Sequence, residues 1–314
     1  MDQEMIRQAA KNMLTVNMNL KPGEKVLFLT DVPTEKDWER PLPVLQDLTK
    51  RALFTRNVFD LVKADFLQNS FDFLAYAATC QNGTEPPAGV AEKMQQYDVV
   101  IMMNSYSLSH TNARTQASER GVRIASMPGI EPEMFLSGGP MQADYAKVKE
   151  VTAVWAKKLT ATRRVRVLSA QGTNLSFSVE GRTGLEDHGL FGAKGEWGNL
   201  PAGEAYIAPV EGTANGKLVA PAGWYPDLDT DMIFELKDGL VISISGGGKV
   251  GDFFREAYHF GNETYRHRRN CAELGIGTNP NAKRADNVLE AEKISGTIHI
   301  AIGDSAHMGG VNES

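Results

Sequence analysis

Tyr97-Asp98-Val99-Val100-Ile101-Met102-Met103 is a near-continuous apolar run. A strand with one wet face alternates apolar and polar residues, so a run like this one belongs to a parallel sheet covered on both faces. Upstream, the turn Lys21-Pro22-Gly23-Glu24 leads into Lys25-Val26-Leu27-Phe28-Leu29-Thr30-Asp31, a second buried strand. Ile6, Ala9, Ala10, Met13 and Leu14 fall at helical spacing and predict an amphipathic helix over 5–16. Further elements are expected as a helix over 41–54 with Leu45, Leu48 and Leu53 inward, a strand at 58–62 and a helix over 88–96. After the central run come a helix near 112–120 and a short strand at 121–125. Strands alternating with helices predict right-handed βαβ units in an open α/β sheet, whose ligands bind beyond the carboxyl ends of the strands. Ser105, Ser107 and His110 lie in the loop after the central strand and are therefore candidates for ligand contact, against the plainer reading of a hydrogen-bonded loop.

The style changes after Pro128-Gly129 and Gly138-Gly139-Pro140. A helix over 145–159, with Val148, Val151, Val154 and Trp155 inward, closes the first half. Beyond it Val165-Arg166-Val167-Leu168-Ser169 and Leu175-Ser176-Phe177-Ser178-Val179 alternate about Gln171-Gly172-Thr173-Asn174, as a hairpin does. Asn215-Gly216 and Asp238-Gly239 read as further hairpin turns, the second between strands at 232–236 and 240–244, and a helix is expected over 252–265. The fold class is therefore α/β: an N-terminal open α/β domain over 1–158, then a β-rich (α+β) domain over 159–314.

Composition narrows the function classes. With 33 Lys and Arg against 39 Asp and Glu, the net charge of -6 argues against a nucleic-acid partner, and the short basic runs at 163–166 and 266–269 read as solvated ends. Cys80 and Cys271 are the two cysteines, without Cys-x-x-Cys spacing, which suits a reducing compartment. The first residues lack a cationic head followed by an apolar stretch, and no apolar run has the roughly 18 residues that cross a bilayer. A cytoplasmic protein with no membrane partner is the expectation. No Gly-x-Gly-x-x-Gly follows an early strand and no phosphate loop occurs, so nucleotide binding has no cradle; Gly246-Gly247-Gly248 reads as a tight turn.

Chemistry concentrates in three short apolar segments. Glu273 sits in Cys271-Ala272-Glu273-Leu274-Gly275-Ile276-Gly277, His299 in Gly296-Thr297-Ile298-His299-Ile300-Ala301-Ile302-Gly303, and Glu204 in Pro201-Ala202-Gly203-Glu204-Ala205-Tyr206-Ile207. Each is a charged or ligating side chain inside a glycine-edged strand. Two carboxylates and an imidazole suit zinc, manganese, cobalt or iron. The bland alternative pairs Glu273 with an arginine of 266–269 and makes His299 a hydrogen-bonded core residue.

At these residues the chain resembles the aminopeptidase T and aminopeptidase S family of metallo-aminopeptidases. Leu20-Lys21-Pro22-Gly23-Glu24-Lys25-Val26, Gly203-Glu204 through Pro209-Val210-Glu211 with Asn215-Gly216, Ala272-Glu273-Leu274-Gly275 and His299-Ile300-Ala301-Ile302-Gly303 carry the likeness. The resemblance implies a homodimer that removes N-terminal residues from peptides with two divalent ions such as zinc, cobalt, manganese or magnesium. It makes Glu204, Glu273 and His299 metal ligands, with one carboxylate bridging the ions or serving the attacking water. Glu273 would be the catalytic base, and His307 would stand where the family has its active-site tyrosine and steady the oxyanion. The family's remaining ligands come from a His-x-Asp motif near its C-terminus; the sequence ends at Val311-Asn312-Glu313-Ser314 without it, so the expectation is either a tail beyond it that brings that motif or a protein that is not a standard peptidase.

Two other readings stand beside this one. The related ring-opening dihydroxypyridine dioxygenases resemble the chain in outline, bind one iron, also use a His-x-Asp motif, and have a histidine where this chain has Glu273. A binding protein that keeps the cleft for a small-molecule ligand without turnover is the third.

Overall fold

The computed structural model describes residues 2–225 and 227–313. It contains three sheets, consistent with an α/β first half followed by a β-rich second half. The strands are β1 (Lys25–Val32), β2 (Ser70–Ala77), β3 (Val99–Met102), β4 (Arg123–Ser126), β5 (Arg164–Leu168), β6 (Asn174–Ser178) and β7 (Leu185–Asp187). They continue with β8 (Trp197–Asn199), β9 (Glu204–Ile207), β10 (Asn215–Ala220), β11 (Met232–Lys237), β12 (Leu240–Gly246), β13 (Cys271–Gly277) and β14 (Ile298–Ile302). The helices are α1 (Gln3–Asn12), α2 (Leu42–Lys63), α3 (Ala88–Met94), α4 (Asn112–Glu119), α5 (Tyr145–Ala161), α6 (Gly248–Ala257) and α7 (Val288–Ala291).

The first sheet is parallel throughout, in the order β2-β1-β3-β4-β8. Its inner strands are apolar on both faces because both are covered. Val26, Phe28, Val99 and Ile101 point into a core shared with α1 and α2, while Leu27, Leu29, Val100 and Met102 point to the opposite face, toward Val90 and Met94 of α3 and Ala113 and Ala117 of α4. Period-two alternation of the side chains thus builds two cores from one run of hydrophobics.

The second sheet, β12-β11-β10-β6-β5, and the third, β14-β13-β9-β7, are antiparallel. Leu175 and Phe177 of β6, Phe234 and Leu236 of β11, and Ala205, Ile207 and Leu274 of the third sheet form one core. The third sheet therefore has an apolar face in that core. Its other face carries the alternate residues of the same strands, among them Glu204, Glu273 and His299.

Several elements differ from expectation. Residues 58–62 are not a strand but the last turns of α2, because Leu45, Leu48, Thr55, Val58, Phe59 and Val62 continue a buried helical stripe. The strand they were expected to supply is β2, an edge strand with half its residues exposed. On α5 the buried residues are Tyr145, Val148, Thr152, Ala156 and Leu159, whereas Val151, Val154 and Trp155 face outward. Close packing across β7 and β9 selects small side chains there, and the Thr152 hydroxyl lies 2.6 Å from that of Thr278. The helix expected over 252–265 runs instead from Gly248 to Ala257; His259 has φ 45° and Gly261 φ 84°, and a 3-10 stretch, Glu263–Arg269, follows. Asn215-Gly216 is no turn but the start of β10, paired with Ser176 and Leu175.

The two halves also interlock. The strand β8 comes from beyond residue 158 yet pairs with β4 at the edge of the first sheet. Phe191, Leu200 and Ala202 join the core around α1, and the Asn17 side chain donates to the Gly189 carbonyl at 2.7 Å. Phe28 is fully buried and meets Phe59 edge-on with centroids 5.8 Å apart. Phe28→Ala is expected to destabilise the chain by about 3–5 kcal/mol, the usual cost of emptying an aromatic site in a packed core, read as a lower urea midpoint of unfolding.

Candidate metal centre

Register explains why three residues far apart in sequence converge. In the third sheet Glu204 lies opposite Gly277 and His299 opposite Gly275, so Glu204, Glu273, Gly275, Gly277 and His299 share one face of three adjacent strands. An irregularity between Cys271 and Glu273 adjusts the end of β13. One ligand atom from each of Glu204, Glu273 and His299 falls within 4.8 Å of the others. His299 Nε2 is 3.0 Å from Glu273 Oε1 and 3.4 Å from Glu204 Oε2.

The glycines make the room. A Cβ on Gly275 would sit 2.0 Å from His299 Cε1, so the imidazole can lie flat across β13 only because that position has no side chain. A Cβ on Gly277 would sit 2.0 Å from the Ile294 carbonyl oxygen. That close approach brings the turn after α7, and with it Lys293, over the same face.

Lys293 is the residue that sequence reading passed over. It is 1% exposed, its ammonium donates to Glu204 Oε1, and it also lies 3.1 Å from Glu292 Oε2 and 3.5 Å from Asp187 Oδ2. Asp187 pairs with Glu204 across β7 and β9, which places it on the site face too. In sequence, Glu290-Ala291-Glu292-Lys293 looks like a solvated charge run, and nothing in its spacing marks one member as buried. Tyr206 opposite Gly275 is another half-buried member of this face, its phenol pKa raised by burial and then by the neighbouring Asp187 and Glu204 carboxylates.

Electrostatics show a site with too much negative charge. Burial pushes Glu204 up to about 8 and Asp187 up to about 6, even with Lys293 beside them. Burial would also raise Glu273 and lower His299, but their mutual hydrogen bond and attraction outweigh it: Glu273 is held below its ordinary value and His299 above its own. Burial would depress Lys293 as well, yet Glu204, Glu292 and Asp187 keep it firmly charged. Glu204 Oε2 and His299 Nδ1 are buried atoms without a hydrogen-bond partner in the protein. An orphaned carboxylate oxygen beside an imidazole nitrogen and a second carboxylate is an oxygen and nitrogen donor set that fits a divalent ion, whose binding would displace the excess protons.

The other candidates lie nearby but apart from the triad. His307 sits in a 3-10 turn, Ala306–Met308, with Nδ1 3.3 Å from Asp304 Oδ1. Its ring packs 4.8 Å from the ring of His110, which in turn meets Trp197 edge-on at 6.1 Å, while the Arg114 guanidinium covers Trp197 at 3.9 Å. Desolvation among these neighbours, then the charges of His307 and Arg114, lower the His110 pKa, although Asp304 and Glu273 oppose the shift. Ser105 and Ser107 are loop-forming residues: Ser105 Oγ accepts from Arg51 at 2.7 Å, and the Ser107 hydroxyl lies 3.1 Å from that of Ser109.

Fold and site together define an α/β protein with two carboxylates and an imidazole gathered on one face of its third sheet. A family model, 2,5-dihydroxypyridine 5,6-dioxygenase (NicX), matches residues 6–311, and the chain belongs to that family. The structure of the 2,5-dihydroxypyridine dioxygenase from Pseudomonas putida KT2440 superposes with a TM-score of 0.68 at 16% identity, covering 98% of this chain and 88% of that one. Wild-type AmpT from Thermus thermophilus superposes with a TM-score of 0.58 at 14% identity, covering 96% and 86%. No curated protein matches the chain in sequence. The ring-opening resemblance is therefore the one the family supports, and kinship with the aminopeptidase is a relationship of fold. Among the described residues no helix is long and apolar enough to cross a membrane.

Gly275→Ala is expected to force the His299 ring off Glu273 and to cost about 1–3 kcal/mol of stability, as overpacking does. The shift of the His299 imidazole resonances checks this directly: unchanged resonances would mean the ring does not depend on that glycine.

Proposed function

We propose that the chain is a metal-dependent ring-opening dioxygenase acting on a small hydroxylated nitrogen aromatic of the dihydroxypyridine kind. The convergence of Glu204, Glu273 and His299 around an orphaned carboxylate oxygen, in a member of this family, carries the reading. Both atoms of dioxygen enter the product and one ring bond beside a hydroxyl breaks. Bound at the triad, a redox-active divalent ion such as iron supplies electron transfer between the ring and dioxygen.

The chain's own residues do the rest. His299 is fixed as a ligand by Gly275 beneath it, and Glu204 is fixed because its second oxygen is held by Lys293. His110, whose lowered pKa favours its neutral form, is suited to accept a proton from a ring hydroxyl; His307, its ring tilted against that of His110 at 4.8 Å, is hydrogen-bonded to Asp304. Beside it, a cleft of about 250 Å³ lined by Arg182, Leu185 and Met308 has room for a single ring. Were Glu204 the carboxylate that bridges two ions in the aminopeptidase reading, its oxygen held by Lys293 would not be free for the second.

The test is oxygen uptake with 2,5-dihydroxypyridine and ferrous iron. Uptake matched mole for mole by loss of the ring absorbance is expected, with His299→Ala and Glu273→Gln reduced by about a hundredfold or more, in line with loss of a metal ligand or its support. Release of amino acids from peptides without oxygen consumption would replace this reading by the hydrolytic one.

A further inference from the structure

In dinuclear carboxylate centres two ions sit about 3.5–4 Å apart, and a bridging carboxylate gives one oxygen to each. Glu204 is placed as such a bridge would be, with Oε2 facing Glu273 and His299 and Oε1 facing away from them. What Oε1 meets is the ammonium of Lys293. Around that ammonium stand oxygens of Glu204, Glu292 at 3.1 Å and Asp187 at 3.5 Å, an all-oxygen shell of the kind that otherwise holds a hard divalent cation. Lys293 is not a surface group that folded inward. It is held there by its backbone, whose carbonyl accepts from Asn279 N at 2.9 Å, and by the approach of Ile294 that Gly277 permits.

We infer that Lys293 takes the place of a second metal ion and determines that this centre holds one. A covalently attached monovalent cation satisfies Asp187, Glu292 and the outer oxygen of Glu204, leaving Glu204 a single oxygen for the ion at Glu273 and His299. This assignment rests on the reading of the triad as a metal site, and it adds the residue that sets the number of ions. In a related chain with an uncharged side chain here, the same three carboxylates would be free to hold a second ion.

Manganese tests it without reference to turnover, because ion content and spin coupling are both measurable. The purified chain, equilibrated with excess Mn2+ and freed of unbound ion, is expected to carry about one ion per chain with the electron spin resonance spectrum of an isolated ion; Lys293→Met should take up about two with an exchange-coupled spectrum. Two coupled ions in the wild-type chain would overturn the inference while leaving the metal reading intact. So would a folded Lys293→Met variant that stays at one. The wild-type measurement needs no variant, so the inference can fail even if Lys293→Met does not fold. No manganese at all in the wild-type chain, and the same result with Glu273→Gln, would instead remove the metal reading and this inference with it.

Discussion

The ammonium of Lys293 among Asp187, Glu204 and Glu292 is the interaction on which the polar side of the third sheet depends. A buried charge survives only when it is paired and hydrogen-bonded, and a buried carboxylate likewise. Here each supports the other. Four carboxylates face one ammonium and one imidazole, with Glu204 and Asp187 raised chiefly by their burial, and a divalent ion would offset the surplus negative charge. The apolar face of the same strands makes this possible: Ala205, Ile207 and Leu274 are anchored in the core of the second sheet, so the strands cannot rotate to release the charges to water.

Much of this was legible before any coordinates. The central apolar run, the strand before it and the hairpins at 164–178 and 232–246 fell where their patterns placed them, since each alternates or runs apolar as its burial demands. Glu204, Glu273 and His299 stood out as single ligating groups inside apolar, glycine-edged strands, and the structure gathers them. What the sequence could not show was pairing. Residues 58–62 are β-branched and aromatic enough to read as a strand, and only the continuation of the Leu45–Val62 stripe makes them helix. Lys293 is one charge in a charged run, and its burial follows from Gly277, sixteen residues earlier, admitting the backbone beside it. Choosing between the two resemblances needed more than Glu204, Glu273 and His299, because the carboxylate at 273 pointed to the aminopeptidase while the match over residues 6–311 points to the dioxygenase.

The first sheet contributes at its carboxyl edge, where the loop after β3 presents His110 to His307 of the other half. That contact joins an open parallel sheet, whose ligands gather beyond its strand ends, to the segment that follows β14 of an antiparallel one. The loop itself is braced from within: Asp31, at the end of β1, accepts the backbone amides of Ser105 and Tyr106 at 2.7 and 3.1 Å. The hydroxyl of Ser109 meets that of Ser126 at 2.8 Å.

The strand β8 ends at Asn199 and β9 begins at Glu204, with Leu200 to Gly203 as the whole connection. Leu200 and Ala202 are fully buried, the Gly203 amide donates to the Asp187 carbonyl, and Asn279 donates to the carbonyl of Ala202. The strand that carries Glu204 is thus spliced almost directly onto the border of the parallel sheet. Such a splice leaves no slack for a hinge between β8 and β9. It also makes this tetrapeptide a poor place for insertions, since one added residue would shift Glu204 to the opposite side of its strand.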